Sequence, residues 1–62
     1  MKLQYQKHLL PKGHGKKWDE LTHTQKIAEV ELAYSDNVRL GYWTEDRFNQ
    51  ELQDKINLII NN

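Results

Sequence analysis

The residues best suited to bind a charged ligand are concentrated at the start of the chain. Residues 1–18 contain five lysines and no acidic residue. Lysine side chains neutralise phosphates with little sequence preference, and an aromatic ring such as that of Tyr5 or Trp18 can stack on an unpaired base. This composition makes the segment a candidate for contact with nucleic acid. The candidate residues are Lys2, Lys7, Lys12, Lys16 and Lys17.

The run Gly13-His14-Gly15-Lys16-Lys17 has the residue types of a phosphate-binding loop but not their spacing. A P-loop has two glycines five residues apart, followed by lysine and a serine or threonine. Here the glycines are two residues apart, and Trp18 stands near the position of the required hydroxyl. The sequence therefore favours a flexible basic linker at this position.

Neither metal binding nor catalysis is indicated. The chain has no cysteine, and its three histidines, His8, His14 and His23, match no metal-ligand spacing. Catalysis needs a nucleophile, a base and a pocket, and a two-helix body is not expected to enclose a pocket of about 300 Å3. We therefore expect a non-enzymatic protein with no metal, no cofactor and no small-molecule substrate.

The net charge of the 62-residue chain is zero, but the charge is unevenly distributed. Residues 1–18 carry +5, whereas residues 19–62 carry nine acids against four bases, which gives −5. The sequence thus predicts a single domain over residues 1–62, in which a basic arm or linker precedes an acidic helical body. The arm either contacts nucleic acid or folds back on the acidic helices, in its own chain or in a second copy.

No stretch of about 18 apolar residues occurs, and the N-terminus lacks the apolar run of a signal peptide. We expect a cytoplasmic protein without a membrane partner. A domain of this size buries only about 60% of the surface that its unfolded chain exposes. A partner protein or self-association is therefore expected to supplement a thin core.

Residues 1–6 alternate between apolar and polar, which is the period of a half-buried strand. No second segment of this kind occurs, so the chain offers this strand no partner. We expect the segment to be extended, docked irregularly, or paired as a short β-strand with a second copy.

Capping signals and apolar periodicity predict two helices, at about residues 22–40 and 45–60. Thr22 and Gln25 match a capping box at the first start, although a start at Asp19 is also compatible. The apolar positions form one stripe of Ile27, Val30, Tyr34 and Val38, a second of Leu21, Ala28 and Leu32, and, in the second helix, Phe48, Leu52, Ile56 and Ile59. Glu31 lies between the first two stripes, where a charge is costly unless it is paired or exposed. Glu51 and Lys55 have the spacing of an ion pair on one helix.

The turn between the helices carries the strongest structural signal. Gly41 suits the left-handed residue after a helix, and Thr44 is a favoured N-cap. Trp43 before the cap and Phe48 after it have the spacing of a hydrophobic staple. Because so short a loop brings neighbouring helices together antiparallel, the predicted fold is mainly α, an antiparallel two-helix hairpin with an N-terminal arm.

The same turn resembles that of the short helical hairpin modules called SHOCT domains. The residues in register with that family are Gly41, Trp43, Thr44, Glu45, Asp46 and Phe48. The match decays after Phe48, because Leu52 and Lys55 stand where the family tends to have a lysine and a leucine. The resemblance implies an interaction or oligomerisation module without catalytic residues.

The function that the sequence favours is that of a small protein–protein interaction or regulatory protein, an adaptor or an inhibitor. Short, cysteine-free chains of this kind are typical of bacterial or bacteriophage accessory proteins. The alternatives are a nucleic-acid-associated protein that uses the lysine-rich arm and a homodimerisation module. A helix cannot turn three consecutive apolar residues inward, which makes residues 58–60 candidates for a contact surface. The candidate contact residues are Trp18, Tyr34, Tyr42, Trp43, Leu58, Ile59 and Ile60.

Overall fold

Two α-helices make up most of the protein. The computed structural model describes residues 3–61, in which helix α1 spans His23–Arg39 and helix α2 spans Glu45–Ile60. Short 3₁₀ turns at Gln6–His8 and Trp18–Glu20 precede them. The mainly helical class and the two predicted helices are confirmed. Neither helix is long and apolar enough to cross a membrane within the described part of the chain.

The strand predicted for residues 1–6 is not found within residues 3–61, and Met1 and Lys2 lie outside the described residues. Leu3 and Tyr5 are nevertheless half-buried and pack against the core. The backbone N–H groups of Gln4 and Tyr5 donate to the side chain of Glu31 on α1. The Glu31 carboxylate, rather than a second strand, therefore accepts these two N–H groups.

The start of α1 is fixed by the predicted capping box. The Thr22 N–H donates to Oε1 of Gln25 at 2.9 Å, and the Gln25 N–H donates to Oγ1 of Thr22 at 3.2 Å. Asp19 belongs to the separate 3₁₀ turn, which ends where Leu21 becomes extended. The later of the two compatible helix starts is thus the one that forms.

The turn between the helices has the predicted geometry. Gly41 has φ +84°, and its N–H donates to the Val38 carbonyl at 3.0 Å. The Tyr42 N–H donates to the Asn37 carbonyl at 2.8 Å, which completes a Schellman motif. Oγ1 of Thr44 accepts from the Arg47 N–H at 3.2 Å and caps α2.

The core lies between the two helices. Its buried side chains are Ile27, Val30, Phe48, Leu52, Ile56 and Ile59. Tyr34, Val38 and Trp43 are half-buried and close the core towards the turn. The Tyr34 and Trp43 rings meet edge to face with 5.0 Å between centroids, and the Arg47 guanidinium lies 5.2 Å from the Trp43 ring. Trp43 of the predicted staple therefore also contacts Tyr34 and Arg47.

The N-terminal segment wraps around α1. Tyr5 contacts Glu31, Leu9 and Leu10 border a shallow groove with Leu32, and residues 14–18 border another groove beside Val30. Positions 30, 31 and 32 point in directions about 100° apart. The second apolar stripe of α1 thus faces the chain's own N-terminal segment.

The predicted ion pair between Glu51 and Lys55 is not formed. Among residues 3–61 the one ion pair joins Arg39 to Asp36 at 3.5 Å, on the surface. Lys55 is half-buried and lines a groove shared with α1. Val30 and Tyr34 of α1 line the same groove, so apolar surface of the neighbouring helix is available to the Lys55 stem.

Candidate functional site

The lysines of the basic arm that the structure describes lie on the protein surface. Those at positions 7, 12, 16 and 17 are exposed, and Lys2 lies outside the described residues. Lys7 is in the first 3₁₀ turn, Lys12 borders the groove beside Leu32, and Lys16 borders the groove beside Val30. The grooves beside Lys12 and Lys16 are neighbours, because both are lined by His14 and Glu29.

Glu31 is a structural anchor. Its side chain is 2% exposed, and its Oε2 and Oε1 atoms accept the N–H groups of Gln4 at 3.0 Å and of Tyr5 at 2.8 Å. The sequence required Glu31 to be either paired or exposed, and Glu31 is paired. Its two donors belong to the chain's own backbone, so Glu31 gives no indication of an external contact.

The seven predicted contact residues divide into three groups. Exposed side chains belong to Trp18, Tyr42, Leu58 and Ile60. Tyr34 and Trp43 are half-buried and pack on each other. Ile59 is 7% exposed and belongs to the core, so it offers no contact surface to a partner. The sequence reasoning missed Leu40, which is 56% exposed at the end of α1.

Two neighbouring depressions lie beside Trp18, and we name them together the Trp18 groove. Its larger part has a volume of about 550 Å3 and a floor formed by Leu21, Val30, Ala33 and Tyr34. A smaller part of about 100 Å3 adjoins it between α1 and α2 and is lined by Trp18, Lys26, Lys55, Leu58 and Ile59. Trp18 and Lys55 belong to both parts.

The rim of the Trp18 groove is positively charged. It carries Lys16, Lys26 and Lys55 against one carboxylate, that of Glu29. The Lys26 ammonium lies 5.8 Å from the centroid of the Trp18 ring, within the range of a cation–π contact. Lys26 and Lys55 each precede a residue of a buried stripe, which is the sequence signal that places them at the helix–helix boundary.

Leu58 and Ile60 lie on opposite flanks of α2. Residues two apart on a helix point about 200° away from each other. Ile59 between them is buried, so Leu58 faces the Trp18 groove on one side and Ile60 faces away from it on the other. The two exposed side chains, at 66% and 53%, are therefore matched in size and position but not in surroundings.

Within residues 3–61 no group of three or more histidine, aspartate or glutamate side chains is arranged to hold a metal ion. Comparison with known proteins gives no match to a protein-family model, to a curated protein or to a solved structure. The candidate site therefore depends on the geometry and charge of the Trp18 groove alone.

Proposed function

We propose that the chain is a small, non-enzymatic protein–protein interaction or regulatory protein, an adaptor or an inhibitor, which binds its partner in the Trp18 groove. The supporting observation is that Trp18, 43% exposed, borders a depression together with the apolar side chains of Leu21 and Val30, and that Leu58, 66% exposed, borders the smaller and more polar depression beside it. Exposed apolar side chains around a groove are typical of interaction sites, and tryptophan is enriched among the residues that dominate binding.

The shape of the groove supports a macromolecular partner. Small-molecule sites bury most of the ligand surface. The Trp18 groove is open to solvent along its length, so a small ligand would remain largely exposed in it. A segment of another protein would cover the groove and bury Trp18 and Leu58 together.

The proposal includes an antiparallel arrangement of the two helices. Val38 and Arg39 at the end of α1 border a groove with Glu45 at the start of α2. Leu21, just before α1, borders the Trp18 groove with Lys55, near the end of α2. The resemblance of the turn to SHOCT modules agrees with an interaction role, and a cytoplasmic location remains a prediction from the sequence.

Matched leucine and isoleucine substitutions test the proposed function. Tagged wild type, Leu58→Ser and Ile60→Ser would be used to capture a partner from cells that express the chain, and the purified pair would then be reconstituted. Burial of a leucine is worth about 1.5–3 kcal/mol, so Leu58→Ser should weaken binding at least about tenfold. Ile60→Ser should bind like wild type. Equal loss in both variants, or no reconstituted complex, would reject the proposal.

A second candidate function is nucleic-acid binding by the arm. It is favoured by one observation: Lys7, Lys12 and Lys17 are exposed and make no ion pair within residues 3–61. If these lysines bind phosphates, a mobility shift should appear at low salt and disappear at a few hundred millimolar salt, because binding releases counterions. No shift with single- or double-stranded nucleic acid at low salt would eliminate this function.

A further inference from the structure

We infer that the occupant of the Trp18 groove is an acidic amphipathic helix of another protein, whose apolar side chains cover Trp18 and Leu58 and whose carboxylates meet Lys26 and Lys55. The inference rests on the proposed function and specifies the chemistry of the partner. Its basis is the combination of an apolar floor in the larger part of the groove with a lining that has three lysines against one carboxylate.

The length of the groove matches a short helix. Along α1 the groove extends from Lys26 to Tyr34, eight residues, or about 12 Å. Apolar side chains at positions i, i+4 and i+7 of a bound helix span about 10 Å. These are the anchor positions of helix-in-groove recognition. The floor can therefore accommodate one apolar stripe of about two helical turns.

The positive charge of the rim favours a bound helix with negative charge. Residues 19–62 carry a net charge of −5, so the helical body as a whole would attract a basic partner. The Trp18 groove is a local reversal, with three lysines against one carboxylate. A basic helix would face like charges there, and a neutral one would cover the half-buried Lys55 without supplying an acceptor. Carboxylates on the flanks of the bound helix satisfy these ammonium groups.

A second copy of this chain fits the groove less well. In a two-fold dimer the same patch meets itself, which would place the Lys26 and Lys55 rim of one copy against that of the other. A copy offering α2 instead would have only Leu58 available on that side, because its main apolar stripe is buried against α1. The chemistry of the rim thus favours another protein.

Two synthetic peptides of about four helical turns, or roughly 15 residues, test the inference. Both carry leucine at positions i, i+4 and i+7, and they differ only in having glutamate or lysine on the flanks. Each bears a fluorescein label and is titrated with the full chain, with binding followed by fluorescence anisotropy. The acidic peptide should bind at least about tenfold more tightly than the basic one, as expected for an attractive rather than a repulsive set of charges.

Charge-reversal variants locate the binding. Lys55→Glu should weaken binding of the acidic peptide about tenfold or more, whereas Lys7→Glu makes the same change in net charge outside the groove and should have a much smaller effect. Circular dichroism confirms that both variants keep the helical content of wild type. If Lys55→Glu unfolds the chain, Lys26→Glu takes its place.

Four results would overturn the inference, three of them from the peptide titrations. These three are equal or tighter binding of the basic peptide, no binding of either peptide, and equal weakening by Lys7→Glu and Lys55→Glu. A dimer in solution that Leu58→Ser dissociates would assign the groove to a second copy and would also overturn it. In each case, binding of a native partner that is lost in Leu58→Ser would still establish the proposed function. Failure of the inference can therefore be distinguished from failure of the proposed function.

Discussion

Replacement of Glu31 by glutamine should destabilise the protein well beyond what the loss of a surface charge would do. The carboxylate accepts two backbone N–H groups, those of Gln4 and Tyr5, while it is 2% exposed. Glutamine has nearly the same shape but only one acceptor oxygen. Its amide nitrogen would face one of the two N–H donors, which would then have no acceptor.

The expected loss follows from the two hydrogen bonds. Each bond to a charged acceptor is worth about 1.5–3 kcal/mol, and a neutral bond about 1 kcal/mol. One bond is lost and the other is weakened, while the neutral side chain costs less to bury than the carboxylate. The net loss should be about 2 kcal/mol. For a domain of this size that lowers the melting temperature by about 8–16 °C.

Two measurements would test Glu31→Gln. Thermal unfolding followed by circular dichroism gives the loss of stability, and native-state hydrogen exchange gives its location. Protection of the Gln4 and Tyr5 amides should fall by about 30-fold, which corresponds to 2 kcal/mol. Glu29→Gln is the matched control, because Glu29 is half-buried on the same helix and makes no side-chain hydrogen bond within residues 3–61.

Two results together would refute this explanation of Glu31: a melting temperature of Glu31→Gln within about 1 °C of the Glu29→Gln control, and unchanged exchange of both amides. A loss of about 2 kcal/mol of hydrogen bonding must change at least one of these quantities. Loss of amide protection without a change in melting temperature would instead show that the N-terminal segment opens separately from the two helices.

Three further substitutions test the turn and the core. Gly41→Ala should lower the free energy of unfolding by about 1–2 kcal/mol, measured by urea unfolding, because φ is +84° while the space around a Cβ atom is open. Gly41→Asn should cost less. Equal stability of wild type, Gly41→Ala and Gly41→Asn would contradict this. Thr44→Ala should cost about 1 kcal/mol in the same assay through loss of the cap, whereas Thr44→Ser, which keeps a capping hydroxyl, should cost much less. Phe48→Ala should cost about 3–5 kcal/mol of the roughly 3–9 kcal/mol expected for 62 residues, so the melting temperature should fall by at least about 12 °C; a cooperative melt near that of wild type would contradict the assigned core.

The turn could be predicted from the sequence because its determinants are local. Gly41 and Thr44 act on backbone groups within a few residues, so residue type and spacing specify the interaction. The buried stripe of α2 was predictable for a similar reason, since helical periodicity alone places Phe48 and Ile56 on one face.

The role of Glu31 could not be predicted from residue types. Its partners are backbone N–H groups 26 and 27 positions away, and every residue except proline has such a group. The prediction of an ion pair between Glu51 and Lys55 was wrong for a related reason. The spacing allowed the pair, but the apolar surface beside Lys55 belongs to a neighbouring helix that the local pattern does not contain.

The Trp18 groove was missed because its residues come from three separate parts of the chain, around positions 16–18, 26–34 and 55–58. The distribution of charged residues along the sequence also did not indicate this groove. Lys26 and Lys55 are far apart in the sequence but border the same groove, because α1 packs against α2.

The most direct test of the account is an NMR titration of the isotope-labelled chain with the glutamate-flanked peptide. We expect the largest chemical-shift changes at the Trp18 indole and at Lys26, Lys55 and Leu58. The amides of Gln4 and Tyr5 should remain protected from hydrogen exchange. Shifts confined to residues 40–42 or to Lys7 and Lys12, or no shifts at all, would contradict this expectation.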